Sequence, residues 1–242
     1  MVTVYKPSDL NYIRNNKDYN EYIKKYDKTE IDFFINNYNF LKKQNENFKC
    51  ILNKITDKNF KIINKQIIEL VIKCKGDDEK IKELFDNIKE ISIIQYNLSH
   101  HYINIILSIK EIININENIN KIIQEYFSLI NNINIEQNYD NYNDLCEINK
   151  KHDYLLGYTL FVAKLELNGI INGYINVVID KLLVKLFNNN HYIFINCLYE
   201  LFKILNKTQT VKYISSLNKI KNMQTIKKHI FKIDDILELI SL

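Results

Sequence analysis

His100 and His101 stand side by side, as do Asp234 and Asp235, and such pairs are where metal ligation or acid–base work would be sought first. Successive residues of a helix face different directions, so the two histidines are not expected to chelate one ion in the usual way. The two aspartates read as acids near the start of a helix, where the positive end of the dipole favours them. Cys50, Cys74, Cys146 and Cys197 are widely separated, with no Cys-x-x-Cys pair to build a zinc site and no dense disulfide framework. A Gly-rich phosphate loop, a His-Glu-x-x-His pair and a nucleophile elbow are all missing from the sequence. The expectation is a protein that is not an enzyme and carries no cofactor or metal.

Charge is the other source of chemistry. The formal balance is +4, but the two signs are separated along the chain. Between Glu111 and Glu147 the acids Glu111, Glu117, Glu125, Glu136, Asp140, Asp144 and Glu147 face a single base, Lys121. From Lys203 to Lys232 every formally charged side chain is lysine: Lys203, Lys207, Lys212, Lys219, Lys221, Lys227, Lys228 and Lys232. A basic end of this kind can bind RNA weakly and without sequence preference through counterion release, with Lys212, Lys219, Lys221 and Lys232 as candidates. It can equally dock an acidic protein surface, or form a solvated face. Lysine lacks the flat fork of arginine, and Arg14 is the only arginine in the chain.

The elements that position these groups are helical. With 242 residues the chain can bury a sizeable core, and only 4 Gly and 1 Pro are available to punctuate it, which argues for helices over sheet. Abundant Ile, Asn, Lys and Tyr without Trp fit translation of a very AT-rich genome, as in some protists and large DNA viruses. Residues 1–28 are polar and Tyr-rich and read as an arm; residues 29–242 carry recurring helical stripes. Breaks fall near Thr56, Gly76 to Asp78, Gln95, Asn114 to Asn116, Asn131 to Asn149, Asn168 to Asn172, Asn188 to Asn190, Asn206 to Thr210 and Asn222 to Thr225. Helix pairs therefore recur about every 40 residues, the period of HEAT-like hairpins. The expected fold is all-α: a solenoid of about five antiparallel helix pairs forming a crescent. Met1 to Leu10 lacks the apolar core of a secretory leader, and the longest apolar stretch is interrupted by charged residues, so no membrane and a cytoplasmic location are expected.

The most informative segment is Phe48 to Phe60, Phe-Lys-Cys-Ile-Leu-Asn-Lys-Ile-Thr-Asp-Lys-Asn-Phe. It reads as one helix ending, a corner with Thr56 as N-cap and Asp57 at the positive end of the next helix, and then an apolar stripe of Phe60, Ile63, Ile67, Leu70, Val71 and Cys74. These residues resemble the first hairpin of the middle domain of the eukaryotic translation initiation factor 4 gamma family, typically Leu-Asn-Lys-Leu-Thr-Pro followed by Phe. Leu52, Asn53, Lys54, Thr56 and Phe60 match, Ile55 is conservative, and Asp57 replaces the proline. Similarity returns in order at Gln124 and Phe127, Leu156-Gly157 with Phe161 and Leu165, Cys197-Leu198 with Leu201, and Phe231 with Asp235-Ile236-Leu237.

The resemblance implies a helical scaffold that binds a DEAD-box RNA helicase of the initiation factor 4 alpha type at two separate places and stimulates it on messenger RNA. Positions tied to helicase binding in the family correspond to Leu52, Ile55 and Phe60, and its basic residues near the start of the last helix correspond to Lys227 and Lys228. Tyr5-Lys6-Pro7 resembles the Trp-Lys-Pro element that helps hold the helicase. Tyr5 with Leu10 also half-resembles a motif for cap-binding proteins, although Asn11 stands where an apolar residue belongs. A basic run of the family is here His152-Asp153-Tyr154-Leu155, which weakens RNA binding by that surface. Related readings are a middle domain serving mRNA decay, splicing or nuclear cap binding, a nonspecific RNA-binding solenoid, and a decoy that sequesters the helicase.

Overall fold

The computed structural model describes residues 47–133, 142–189 and 191–241, and every regular element among them is helical. The expected arm with Tyr5, Lys6 and Pro7 lies outside the described residues. Helices α1 (Phe48–Leu52), α2 (Phe60–Lys73), α3 (Asp78–Ile94) and α4 (Ser99–Lys110) are followed by α5 (Asn116–Asn132) and the long α6 (Tyr142–Leu167). Then come α7 (Tyr174–Asn189), α8 (Tyr192–Ile204), the single turn α9 (Lys207–Thr210), α10 (Ile214–Met223) and α11 (Lys227–Ser241).

Their packing runs in two rows. In one, α1 lies on α3, α3 on α6, α6 on α8 and α8 on α11. In the other, α2 packs against α4, and α7 against α10, while α5 rests on α3 and α6. Apolar stripes on facing helices make one continuous core, from Leu52, Ile67 and Leu84 through Phe85, Tyr126, Phe161 and Phe194 to Leu217 and Ile236. The buried tyrosines keep their hydroxyls satisfied: Tyr158 donates to the Ile122 carbonyl at 2.6 Å, and Tyr126 meets Thr159 at 3.1 Å.

Gly157 explains how closely α6 can approach α3. A Cβ there would lie 2.0 Å from the carbonyl oxygen of Ile93, so only glycine admits this crossing. Local chemistry sets the element ends. Gly76, at φ +95°, turns the chain out of α2, and the Asp77 carboxylate caps α3 by accepting from Lys80 N–H at 3.1 Å. That bond, aided by the Lys80 ammonium, holds the Asp77 carboxyl below its ordinary value. Glu166, near the end of α6, accepts from the backbone N–H of Tyr174 at 2.6 Å and of Ile175 at 2.8 Å, satisfying the first turn of α7.

Four local expectations need correction. Thr56 is not the cap of α2, which starts at Phe60; Asn59 closes the corner instead, accepting from Thr56 N–H at 2.8 Å and donating to the Lys54 carbonyl at 2.7 Å. The break placed over Asn131 to Asn149 is shorter, because α6 begins at Tyr142, and Glu147 and Lys150 are joined at 2.8 Å along it. Asn206 to Thr210 is not open loop but a one-turn helix with a capping box between Asn206 and Gln209. Asp234 and Asp235 lie in the middle of α11 rather than at its start, bonded to Lys221 and Lys232.

Candidate functional site

The first hairpin splits the residues assigned to a partner. Leu52, on the α1 that packs against α2 and α3, and Ile55 are buried at 0% and 3% exposure, and no approaching protein could touch them. Phe60 is half-buried, its ring stacked on His101 at 4.6 Å. What the corner offers to solvent is Lys54, Thr56, Asp57 and Lys58, all exposed. Leu52 and Ile55 can therefore act on a partner only by fixing how this corner is presented.

At the other end, the predicted lysines gather on α10 and α11. Lys227 and Lys228 occupy the first turn of α11 and are exposed; Lys212 and Lys219 are exposed as well, whereas Lys221 and Lys232 are half-buried. Tyrosines of α8 underlie this surface. Lys228 Nζ sits 3.9 Å from the centre of the Tyr192 ring, and Lys232 Nζ 3.2 Å from that of Tyr199, which Lys203 approaches at 5.3 Å. Lys228 and Lys232 are four residues apart, and Tyr192 and Tyr199 seven, so each pair lines one face of its helix where α8 and α11 meet. The result is a strip of cations seated on aromatic faces. Lys219 lies over Phe187 at 5.8 Å, and Lys212 donates to Asn176 at 2.9 Å, both reaching toward α7.

Part of this positive charge is neutralised locally. Lys221 pairs with Asp234, Lys232 with Asp235 at 3.5 Å, and Lys203 with Glu200 at 3.0 Å. The Glu200 bond outweighs the slight burial of Lys203 and raises its affinity for a proton. Lys207, Lys212, Lys219, Lys227 and Lys228 have no acidic partner among the described residues, and they carry the net charge of this end. The acidic middle is neutralised too. Burial would push the Lys89 ammonium down, but its 2.8 Å bond to Glu125, with Asp86 and Glu90 nearby, raises it instead. Lys121 adds contacts to Asp86 at 3.2 Å and Glu125 at 3.6 Å, tying α3 to α5.

Three histidines gather where α6, α8 and α11 meet. His191 is 5.0 Å from His152, ring centre to ring centre, and His229 faces Tyr192 at 5.8 Å. Burial, then His152 and His229, push the His191 imidazole down to about 4. Burial also lowers His152 and His229. Burial thus favours the neutral imidazole at all three.

Compared with family models, curated proteins and solved structures, the chain matches none. Functional inference therefore rests on the residues themselves. No helix among the described residues is long and apolar enough to cross a membrane. Reading the sequence missed Tyr192 and Tyr199 as the floor of the lysine surface, although their spacing from Lys203 on one helix would have revealed the stripe. It also missed the meeting of Asp57 with His100 and His101, which are separated by more than 40 residues.

Proposed function

We propose that the chain is a HEAT-type helical scaffold, resembling the middle domain of translation initiation factor 4 gamma, that binds and stimulates a DEAD-box RNA helicase on messenger RNA. The observation that carries this reading is the stacking order from α1 through α3, α6 and α8 to α11. In this order of contacts the helix before the exposed corner Lys54–Lys58 stands at one end and α11, with Lys227 and Lys228 in its first turn, at the other, and we read the two as separate docking patches for the lobes of a motor enzyme. The close contact at Gly157 and the burial of Leu52 and Ile55 support a well-packed scaffold between them. Stimulation would follow from favouring a half-open helicase, a population shift that requires both patches to be engaged together.

Copurification with a matching helicase, followed by ATPase measurement with RNA, tests the proposal. A stable complex and faster RNA-dependent hydrolysis are expected. Absence of both would overturn it, and a complex with slower hydrolysis would support the decoy instead.

A second reading is favoured by the strip of Lys228 on Tyr192 and of Lys203 and Lys232 on Tyr199. Aromatic faces with adjacent cations suit unpaired bases and phosphates, so this surface can bind single-stranded RNA without sequence preference. Retention on RNA with a steep salt dependence, together with indifference to helicase, would favour it over the scaffold.

A further inference from the structure

Adjacent histidines on a helix ordinarily diverge, but His100 and His101 in the first turn of α4 converge on one carboxylate. Asp57 Oδ1, on the corner between α1 and α2, is 2.7 Å from His101 Nε2 and 3.7 Å from His100 Nε2. One ligand atom from each of the three residues lies within 4.8 Å of the others. We propose that Asp57, His100 and His101 form a binding site for one divalent transition-metal ion of the zinc class.

The distances suit such an ion. Bonds of about 2.0–2.2 Å in a tetrahedral arrangement put ligand atoms about 3.4 Å apart, and the two measured separations bracket that value. Two imidazoles and a carboxylate select zinc, cobalt, nickel or copper over calcium or magnesium, which favour all-oxygen shells. The positions opposite the protein are open to water, because Asp57 and His100 are exposed.

The two histidines hold the carboxylate differently. Asp57 and His101 are close enough for a good hydrogen bond, with Phe60 stacked on the His101 ring to fix it. His100 is different. At 3.7 Å its nitrogen is outside hydrogen-bond range, yet its half-exposed ring leans within 3.9 Å of the His101 ring toward the same oxygen. An ion shared by the three groups would use this approach and add His100 as a ligand.

Two features limit the affinity. The N–H groups at the head of α4 oppose a cation, which the Asp57 charge offsets. His101 Nδ1 is buried and has no hydrogen-bond partner among the described residues, so the usual outer support for a metal-bound imidazole is missing. Such support is worth about 10- to 100-fold in affinity, which puts this site below a structural zinc finger. A bound ion would fasten the first corner to α4.

The test is titration of the full chain with zinc or cobalt(II) chloride, followed by imidazole NMR signals and visible absorption. The chain has 5 His, so each signal can be assigned. One equivalent of zinc should move His100 and His101 together and leave His152, His191 and His229 unmoved. Cobalt should give a visible band without thiolate charge transfer. Asp57→Asn and His100→Ala alter exposed side chains, should keep the native melting temperature, and should each weaken binding about tenfold or more. Unmoved signals in excess zinc, a thiolate band, shifts confined to the other histidines, or unchanged affinity in both variants would overturn the proposal.

Discussion

Replacing Gly157 by alanine tests how closely α3 and α6 pack within one row. A helix interior gains about 1 kcal/mol when alanine replaces glycine, so an uncrowded site would be stabilised. Here the new Cβ would lie 2.0 Å from Ile93 O and 2.9 Å from Ile93 C, where ordinary contact begins at 3.4 Å. Relief requires moving α6 away from α3 by about 1.4 Å, and the obstacle is backbone that no rotamer change can remove. Forced overpacking costs about 1–3 kcal/mol and more when backbone must shift, so the net effect is a loss of about 2 kcal/mol. For a chain of this size that lowers the melting temperature by about 4–8 °C. Thermal and urea melts followed by far-ultraviolet circular dichroism measure it. A melting temperature within a degree of the native value, or above it, would refute the close crossing of α3 and α6.

Acid should destabilise the fold through His191, which is pushed down to about 4 by burial and by His152 and His229. A folded value below the unfolded 6.5 means the stabilisation is complete above about 6.5 and is lost as the pH falls toward 4. It amounts to about 3 kcal/mol at most, and His191→Gln should flatten the profile of urea midpoint against pH. Lys89→Met should cost about 1–3 kcal/mol in a urea melt, because Asp86, Glu90 and Glu125 lose the cation they surround. Leu52→Ala, at a fully buried position, should cost about 2–5 kcal/mol; a variant melting like the native chain would contradict its place in the core.

Helix positions were legible because the chain has few glycines, a single proline and clear apolar stripes; Ile175, Val178, Ile179, Leu182 and Leu186 are all buried on α7. The turn at Gly76 was legible for the same reason. Most polar breaks, such as Asn168 to Asn172 between α6 and α7, do fall between helices, but the one over Asn131 to Asn149 runs too far. Tyr142 to Asn149 looks like loop because it is rich in Asn and acids, yet it extends a helix whose later turns are anchored in the core. Thr56 was a reasonable cap by type, but the longer Asn59 side chain reaches both Thr56 and Lys54 and moves the start of α2 by one turn.

The lysine surface was legible as charge and not as geometry. Its count of cations is plain in the sequence, and so is the i,i+3 pair of Lys232 with Asp235, but the pairing of Lys221 with Asp234 depends on how α10 and α11 pack. The convergence of His100 and His101 on Asp57 was not legible, because helical periodicity separates neighbours by direction, whereas an exposed imidazole can swing across that angle toward an anion.

RNA-dependent ATP hydrolysis by a DEAD-box helicase, measured with and without the full chain, bears most directly on the scaffold. Stimulation is expected, with Lys227→Glu combined with Lys228→Glu abolishing it while the melting temperature stays native, since both side chains are exposed. An unchanged hydrolysis rate at saturating chain, or full stimulation by the doubly reversed variant, would contradict a helicase docked at the head of α11.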